Sequence, residues 1–175
     1  TMSYFPNCEY WGIDRIDITG TSQFRYIRAD LDTSELNEVP DKYFDIVILS
    51  HVIEHLVNYR DVLMRISTKL RENGFLYVET PSPKSEMFPH RAGTLNFYDD
   101  PSHLKPISVS EVISLVSMTG LSVINSGVRK YKRRLLLFPI IVIYSILTYG
   151  YVPGPALWDI YGFASYVVAQ KKNPR

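Results

Sequence analysis

Two acidic residues, Asp14 and Asp30, follow two neighbouring predicted strands near the start of the chain. Asp14 comes after the apolar run Glu9–Ile13, and Asp30 comes after a second short run at residues 24–27. In open parallel sheets, ligands bind where the carboxyl ends of the strands meet. A carboxylate at Asp14 suits hydrogen bonds from a ribose diol, and Asp30 suits an adenine amino group. Acids at strand ends are also ordinary loop formers, so either residue alone keeps both interpretations.

Two further segments carry histidines that can move protons or bind metal. The segment His51–His55 reads HVIEH, and the pattern H-x-x-E-H on a helix can bind zinc because residues four apart share a face. This segment directly follows a predicted buried strand and the sequence shows no third ligand, so we predict no metal. Ser50 and His51 are instead expected beside a ligand at the mouth of the strand. His103 lies in a long loop, 84–106, either in a simple turn or facing the crevice as a proton carrier.

The surrounding pattern indicates the elements that position these residues. Residues 44–49 read FDIVIL, which is typical of a strand buried on both faces. Apolar residues recur at helical spacing over residues 56–70, and the glycine in residues 72–74 is expected to end that helix. Residues 75–79 form the next predicted strand. A strand, a helix and a strand in this order form a βαβ unit, so the sequence predicts an α/β fold with a mostly parallel sheet.

The C-terminal half adds a second helix, a strand and a segment of different character. Ser108–Glu111 forms a predicted capping box for a helix that ends at Gly120, and a strand follows at residues 121–124. Residues 162–169 are the final predicted strand. Residues 129–161 are therefore expected to be a basic and apolar insertion before the last strand.

The insertion allows three interpretations. Its basic run, residues 129–134, precedes seventeen uncharged residues, 135–151, which include Pro139 and are too short to favour a membrane span. A basic run followed by an apolar stretch suits contact with anionic lipid head groups through residues 130–151, at the inner face of a membrane. It equally suits a solvated strand end followed by a core helix. The aromatic residues of this region also suit the surface of a homodimer.

Length, charge and cysteine use restrict the class of protein. A chain of 175 residues suits a single domain, residues 1–175. A net charge of +1 lacks the electrostatic footprint of a nucleic-acid binder. The single cysteine, Cys8, cannot form an intramolecular disulfide, which fits a reducing, cytoplasmic setting.

The order of these parts resembles the class I S-adenosylmethionine-dependent methyltransferases, specifically the small-molecule kinds labelled type 11, 12 or 23. The resemblance covers most of residues 9–124, and YVVAQKK near the end is similar to the last strand of that family. The motifs that carry it are Gly12-Ile13-Asp14, Ala29-Asp30-Leu31, YFDIVILSHVIEHL from Tyr43, LRENGFLYVETPSP from Leu70, DPSHLKPIS from Asp100 and GLSV from Gly120. It implies a Rossmann-like fold, with a mostly parallel central sheet and helices on both faces.

The resemblance also implies a cofactor, S-adenosylmethionine, which leaves as S-adenosylhomocysteine. The residues it implies for cofactor binding are Asp14, Arg15, Asp30, Leu31, Ser50 and His51. Asp14 would bind the ribose hydroxyls, Asp30 and the Leu31 backbone would hold the adenine, and the last two would lie near the methionine part.

His55 and His103 would face the acceptor, and one of them would act as a base for O- or N-methylation. The expected function is methyl transfer to a small metabolite or a glycan-type acceptor. The alternatives are a catalytically inactive methyltransferase-fold protein that serves as a binding or membrane-surface partner, and an unrelated nucleotide-binding α/β domain.

The family pattern also includes a first strand and a glycine-rich turn ahead of Asp14. Only thirteen residues precede Asp14, and none of them forms that pattern. We therefore expect an N-terminally truncated form of the fold. Loss of the first strand would expose the edge of a neighbouring strand, and we predict that a partner chain or the N-terminal residues cover it.

Overall fold

The computed structural model describes residues 7–17 and 24–172, which fall into two compact units. The first unit is Thr1–Pro40 and the second is Asp41–Arg175. The single domain expected over residues 1–175 stays a prediction.

The first unit is built on a pair of parallel strands. Strand β1, Trp11–Asp14, pairs with β2, Arg25–Arg28, so that Asp14 is in register with Arg28. The Ala29 amide donates to the Asp14 carbonyl over 2.9 Å, which continues the pairing past the strand ends. A Cβ atom at Gly12 would lie 2.9 Å from the Phe24 ring, so a larger residue there would displace that ring. The ladder therefore places the ends of β1 and β2 side by side.

The second unit contains a four-stranded sheet in the order β3-β4-β6-β5. Its strands are β3 (Phe44–Ser50), β4 (Leu70–Pro81), β5 (Leu121–Val128) and β6 (Ala164–Lys171). Strand β4 is parallel to β3, and β6 is antiparallel to both β4 and β5. Three strands thus share one direction and β6 runs against them, which confirms the predicted α/β class with a mostly parallel sheet.

Four α-helices and three short 3-10 turns connect these strands. The helices are α1 (Tyr59–Lys69), α2 (Val109–Met118), α3 (Lys132–Tyr149) and α4 (Gly154–Tyr161). The 3-10 turns are Ile53–His55, Pro83–Met87 and Phe97–Asp99. Helix α1 packs on β4, and α2 packs on β5 and β6. The predicted cap of α2 is confirmed, because the Ser108 hydroxyl accepts a hydrogen bond from the Glu111 amide at 3.1 Å.

Strand β3 departs from its predicted burial on both faces. Leu49 is buried, but Ile46 and Ile48 are each 56% exposed. The reason is topological: within the second unit, β3 is an edge strand that pairs with β4 alone, so fewer elements surround it than surround a central strand. An apolar, β-branched strand pattern does not distinguish this arrangement from a central strand.

The predicted glycine stop after α1 is also wrong. Helix α1 ends at Lys69 and β4 begins at Leu70, so residues 72–74 lie inside the strand. Gly74 serves a close backbone approach, since a Cβ there would lie 2.9 Å from the carbonyl oxygens of Arg71 and Phe44.

Helix α3 occupies most of the predicted insertion, and most of its described apolar side chains are exposed rather than buried in a core. Leu136 is 82% exposed and Leu147 is 81% exposed. The helix includes Pro139 and ends at Gly150, which has the left-handed φ of 76°. The side chains of residues 132–135, which include most of the basic run, lie outside the described part of the chain. Within that part, every helix falls short of the length or the apolarity that crossing a bilayer requires.

Candidate functional site

The ends of β1 and β2 form the first group of predicted site residues. One carboxylate oxygen of each acid accepts a hydrogen bond from a backbone amide two residues further on. Asp14 Oδ1 accepts from the Ile16 amide at 3.2 Å, and Asp30 Oδ1 accepts from the Asp32 amide at 2.9 Å. Both residues are exposed. The structure thus places the two acids at adjacent strand ends, with their orientation fixed by local hydrogen bonds.

The other two residues predicted in this unit lie next to these acids. Arg15 is exposed directly after β1, and its carbonyl accepts from Arg28 Nε at 3.3 Å. Leu31 lies half-buried in the turn that follows β2. A cavity of about 240 Å³ opens beside the same strand end and is lined by residues 27–29 and 34–39. Ligand pockets usually enclose about 300–1,000 Å³, so this cavity suits part of a ligand, such as one ring system.

In the second unit, the carboxyl ends of β3 and β4 meet at a buried cluster of charged residues. The register pairs Ser50 with Glu79, and the His51 amide donates to the Glu79 carbonyl over 2.9 Å. His51 has the left-handed φ of 55°, which is uncommon for a residue with a Cβ atom. The chain turns sharply there, and the His51 ring lies between two carboxylates: Nδ1 is 3.0 Å from Glu54 Oε1 and Nε2 is 3.2 Å from Glu79 Oε1.

Glu79 connects His51 to the end of β5. Its carboxylate accepts from Arg129 Nη1 at 2.9 Å and from the Tyr77 hydroxyl at 2.5 Å. Arg129 Nε lies 3.8 Å from Asp159 on α4. We call these residues, together with Glu54, the buried ion network.

The charges of the buried ion network change the pKa values of its members. Burial alone would lower the pKa of His51, but hydrogen bonds and charge attraction from Glu54 and Glu79 outweigh it and raise that pKa to about 9. Burial would raise the pKa of Glu79, but its bonds to His51 and Tyr77 and the charge of Arg129 hold it below its usual value. His51 is therefore a cation at neutral pH, and Glu79 is an anion.

Aromatic rings enclose the His51 side chain. Its ring centroid lies 5.2 Å from that of Trp158 and 6.0 Å from that of Phe163, and these two rings stack on each other at 4.6 Å. The Trp158 Nε1 group donates to the Thr94 carbonyl over 2.6 Å. The indole is thereby held between the long loop and the network.

His55 and His103 form a second pair on the other side of Glu54. Their ring centroids are 4.7 Å apart, and the Leu104 amide donates to the Glu54 carbonyl over 2.9 Å. This backbone bond connects the long loop to the turn Ile53–His55. The two histidines are thus neighbours in the structure, and their expected position facing an acceptor stays a prediction.

The structure therefore brings the predicted residues together in two separate groups. Asp14, Arg15, Asp30 and Leu31 lie in the first unit, and Ser50, His51, His55 and His103 lie in the second. The ligand roles of these residues stay predictions.

Four residues of this site were not predicted as site residues from the sequence: Glu79, Arg129, Asp159 and Trp158. One signal was available for Glu79, because a single acid within the apolar run FLYVET requires a partner if the strand is buried.

The fold and these strand ends define an α/β protein of the kind that binds ligands at the carboxyl edge of its sheets. A family model described as "Methyltransferase domain" matches residues 3–126, more than half of the chain. The chain belongs to this methyltransferase domain family.

Individual proteins agree with this assignment. The chain is 28% identical over 97 residues to the uncharacterized methyltransferase YcgJ of Bacillus subtilis (strain 168), a match that covers 55% of this chain and 38% of that protein. The chain thus spans well under half of that relative.

Solved structures share the fold. An S-adenosylmethionine dependent methyltransferase from Mesorhizobium loti superimposes with a TM-score of 0.64 at 14% identity, covering 93% of this chain and 80% of that one. A Burkholderia thailandensis 1,6-didemethyltoxoflavin-N1-methyltransferase with bound 1,6-didemethyltoxoflavin and S-adenosylhomocysteine has a TM-score of 0.57 at 14% identity, covering 98% and 66%. The predicted family and its Rossmann-like fold are thereby confirmed.

Proposed function

We propose that this protein binds S-adenosylmethionine and transfers its methyl group to an oxygen or nitrogen of a small metabolite or a glycan-type acceptor. The observation that supports this most directly is the parallel pairing of β1 and β2, which sets Asp14 and Asp30 at neighbouring strand ends. The acceptor class is supported by the Burkholderia relative, whose bound acceptor is a small molecule.

The residues of the first unit fit the adenosine part of the cofactor. A short exposed carboxylate at Asp14 can accept hydrogen bonds from both ribose hydroxyls, and Asp30 stands beside a cavity large enough for a ring system. Charged hydrogen bonds of this kind each contribute roughly 1.5–3 kcal/mol. Both acids should therefore be needed for binding.

The second unit supplies groups for the acceptor. When bound, S-adenosylmethionine supplies an electrophilic methyl group, and the chain must orient the acceptor atom and take up its proton. His103 Nδ1 lies 2.6 Å from the Phe97 carbonyl and so carries the hydrogen, which leaves Nε2 with a lone pair. That lone pair can accept the acceptor proton, while positioning supplies most of the rate enhancement.

Calorimetry with S-adenosylhomocysteine tests the cofactor site. We expect micromolar binding to the native chain, and affinity lower by at least about tenfold for Asp14→Ala and for Asp30→Ala. Asp17→Ala is the matched control, since Asp17 is an exposed acid in the same unit and should leave binding unchanged. Absence of binding to the native chain would contradict the proposal and favour an inactive methyltransferase fold. Binding of an adenine nucleotide alone would favour an unrelated nucleotide-binding domain.

We also propose that residues 130–151 contact an anionic membrane surface. Lys130 is exposed at the start of this segment, and α3 presents exposed apolar side chains beyond it. These side chains are Leu136, Leu137, Ile140, Ile143, Ile146 and Leu147. A basic end followed by an exposed apolar helix suits the interface of an anionic bilayer, where each basic residue contributes about 1 kcal/mol.

Flotation with vesicles tests this contact. Binding to vesicles that contain anionic lipid should fall when Lys132, Arg133 and Arg134 are neutralised together, and it should also fall in the variant L136E/L147E. Unchanged flotation of both variants would refute the membrane contact. A dimer in sedimentation that L136E/L147E dissociates would instead assign this surface to a second copy of the chain.

A further inference from the structure

We propose that Glu54, His55 and His103 form a binding site for a divalent first-row transition-metal ion. One ligand atom from each side chain lies within 4.8 Å of the other two. Two imidazoles and one carboxylate are a ligand set used for zinc and for ferrous iron, and they leave coordination positions open. The third ligand, His103, comes from the long loop, which is why the H-x-x-E-H pattern alone does not reveal it.

Hydrogen bonds orient both imidazoles for metal binding. The Ser102 hydroxyl donates to Asp100 Oδ1 over 2.5 Å and therefore accepts from His55 Nδ1 at 3.0 Å. His103 Nδ1 donates to the Phe97 carbonyl over 2.6 Å. Each ring thus carries its hydrogen on Nδ1 and presents the lone pair of Nε2. Metal-binding histidines in proteins are held by the same kind of bond from the second ring nitrogen.

Glu54 supplies an independent indication of a cation. Its side chain is 0% exposed, and its Oε2 atom is buried without a hydrogen-bond partner, whereas its Oε1 atom contacts His51. A buried carboxylate oxygen that lacks a partner is unfavourable, and a metal ion would satisfy it.

Only small side-chain movements are needed for coordination. Zinc binds imidazole nitrogen at about 2.0–2.1 Å, which places neighbouring ligand atoms of a tetrahedral site about 3.3 Å apart. The present separations therefore have to shorten by about 1.5 Å at most. His55 is partly exposed, so its side chain has room to rotate.

A metal here would deepen the proposed function, and this step alone rests on that function. The two imidazoles would then hold the ion, and a hydroxyl of the acceptor bound at an open position would lose its proton more readily than in water. With both imidazoles on the ion, neither histidine would act as the base, and the proton of the hydroxyl would pass to solvent water.

Zinc titration of the full chain tests the site directly. We expect one Zn²⁺ per chain, measured by competition with a chromophoric chelator, and no comparable binding of Mg²⁺, which prefers oxygen ligands. His55→Ala and His103→Ala should weaken Zn²⁺ binding by at least about tenfold, because even outer partners of metal ligands contribute 10- to 100-fold. His90→Ala is the control, since the His90 side chain is 73% exposed and pairs with Asp99.

Histidine ring spectra on the unmodified protein give a second measurement that does not depend on a variant folding. Stoichiometric Zn²⁺ should shift the ring signals of His55 and His103 and leave those of His90 in place. Equal Zn²⁺ affinity of His55→Ala and His90→Ala, or unshifted His55 and His103 signals, would overturn the metal site. Intact zinc binding without binding of S-adenosylhomocysteine would instead sink the proposed function and leave the metal site standing.

Discussion

Loss of Arg129 should destabilise the second unit through the buried ion network. Arg129→Met keeps most of the side-chain volume but leaves the Glu79 carboxylate, which is 1% exposed, without its nearest permanent cation. At an effective dielectric constant of about 20, unit charges separated by 2.9 Å attract by roughly 6 kcal/mol. Two effects reduce this figure. The variant avoids the cost of removing the Arg129 guanidinium from water, and His51 still faces the Glu79 carboxylate. We therefore expect a net loss of about 3 kcal/mol, the lower end for a broken buried pair.

Urea unfolding at pH 7 measures this loss, followed by Trp158 fluorescence in a Trp11→Phe background. Lys130→Met is the matched control, because Lys130 is exposed and its removal should change the free energy of unfolding by less than about 0.5 kcal/mol. Adding Glu79→Gln to Arg129→Met should recover part of the loss, since it removes the uncompensated charge. Equal stabilities of the Arg129 and Lys130 variants, or strict additivity with Glu79→Gln, would refute the reasoning.

Two further predictions concern the long loop. Burial would raise the pKa of Asp99, but hydrogen bonds from the Leu95 amide, His90 and other backbone amides hold it at about 2. The ionised Asp99 carboxylate therefore stabilises the fold above pH 4, and this stabilisation is lost as the pH falls through about 2. Asp99→Asn should lower the free energy of unfolding by about 1–2 kcal/mol at pH 7 and leave it unchanged near pH 1.5. Urea unfolding at both pH values measures the difference. Gly154→Ala should lower the melting temperature by several degrees in calorimetry, because the new Cβ would lie 2.5 Å from the Thr94 carbonyl oxygen.

Patterns among neighbouring residues predicted most helices and strands, whereas the candidate site depends on contacts between residues far apart in the sequence. The cap at Ser108 and the strand at residues 44–49 depend on neighbouring residues, so the sequence indicated both. Glu79 and Arg129 meet over a separation of fifty residues, and a basic run such as 129–134 suggests solvent exposure rather than a buried partner. The exposure of Ile46 on β3 depends on how many strands and helices surround it, which no local pattern records.

A backbone hydrogen bond joins the two ends of the helical insertion. The Arg129 amide donates to the Ala164 carbonyl over 2.8 Å. The segment that contains α3 and α4 therefore leaves the sheet at the end of β5 and rejoins it at the adjacent start of β6. Joining these two positions by a short linker would cost little extra chain entropy, since that cost varies only slowly with loop length. Residues 130–163 are thus the segment that a short linker could replace without separating β5 from β6, at the loss of Asp159 from the buried ion network.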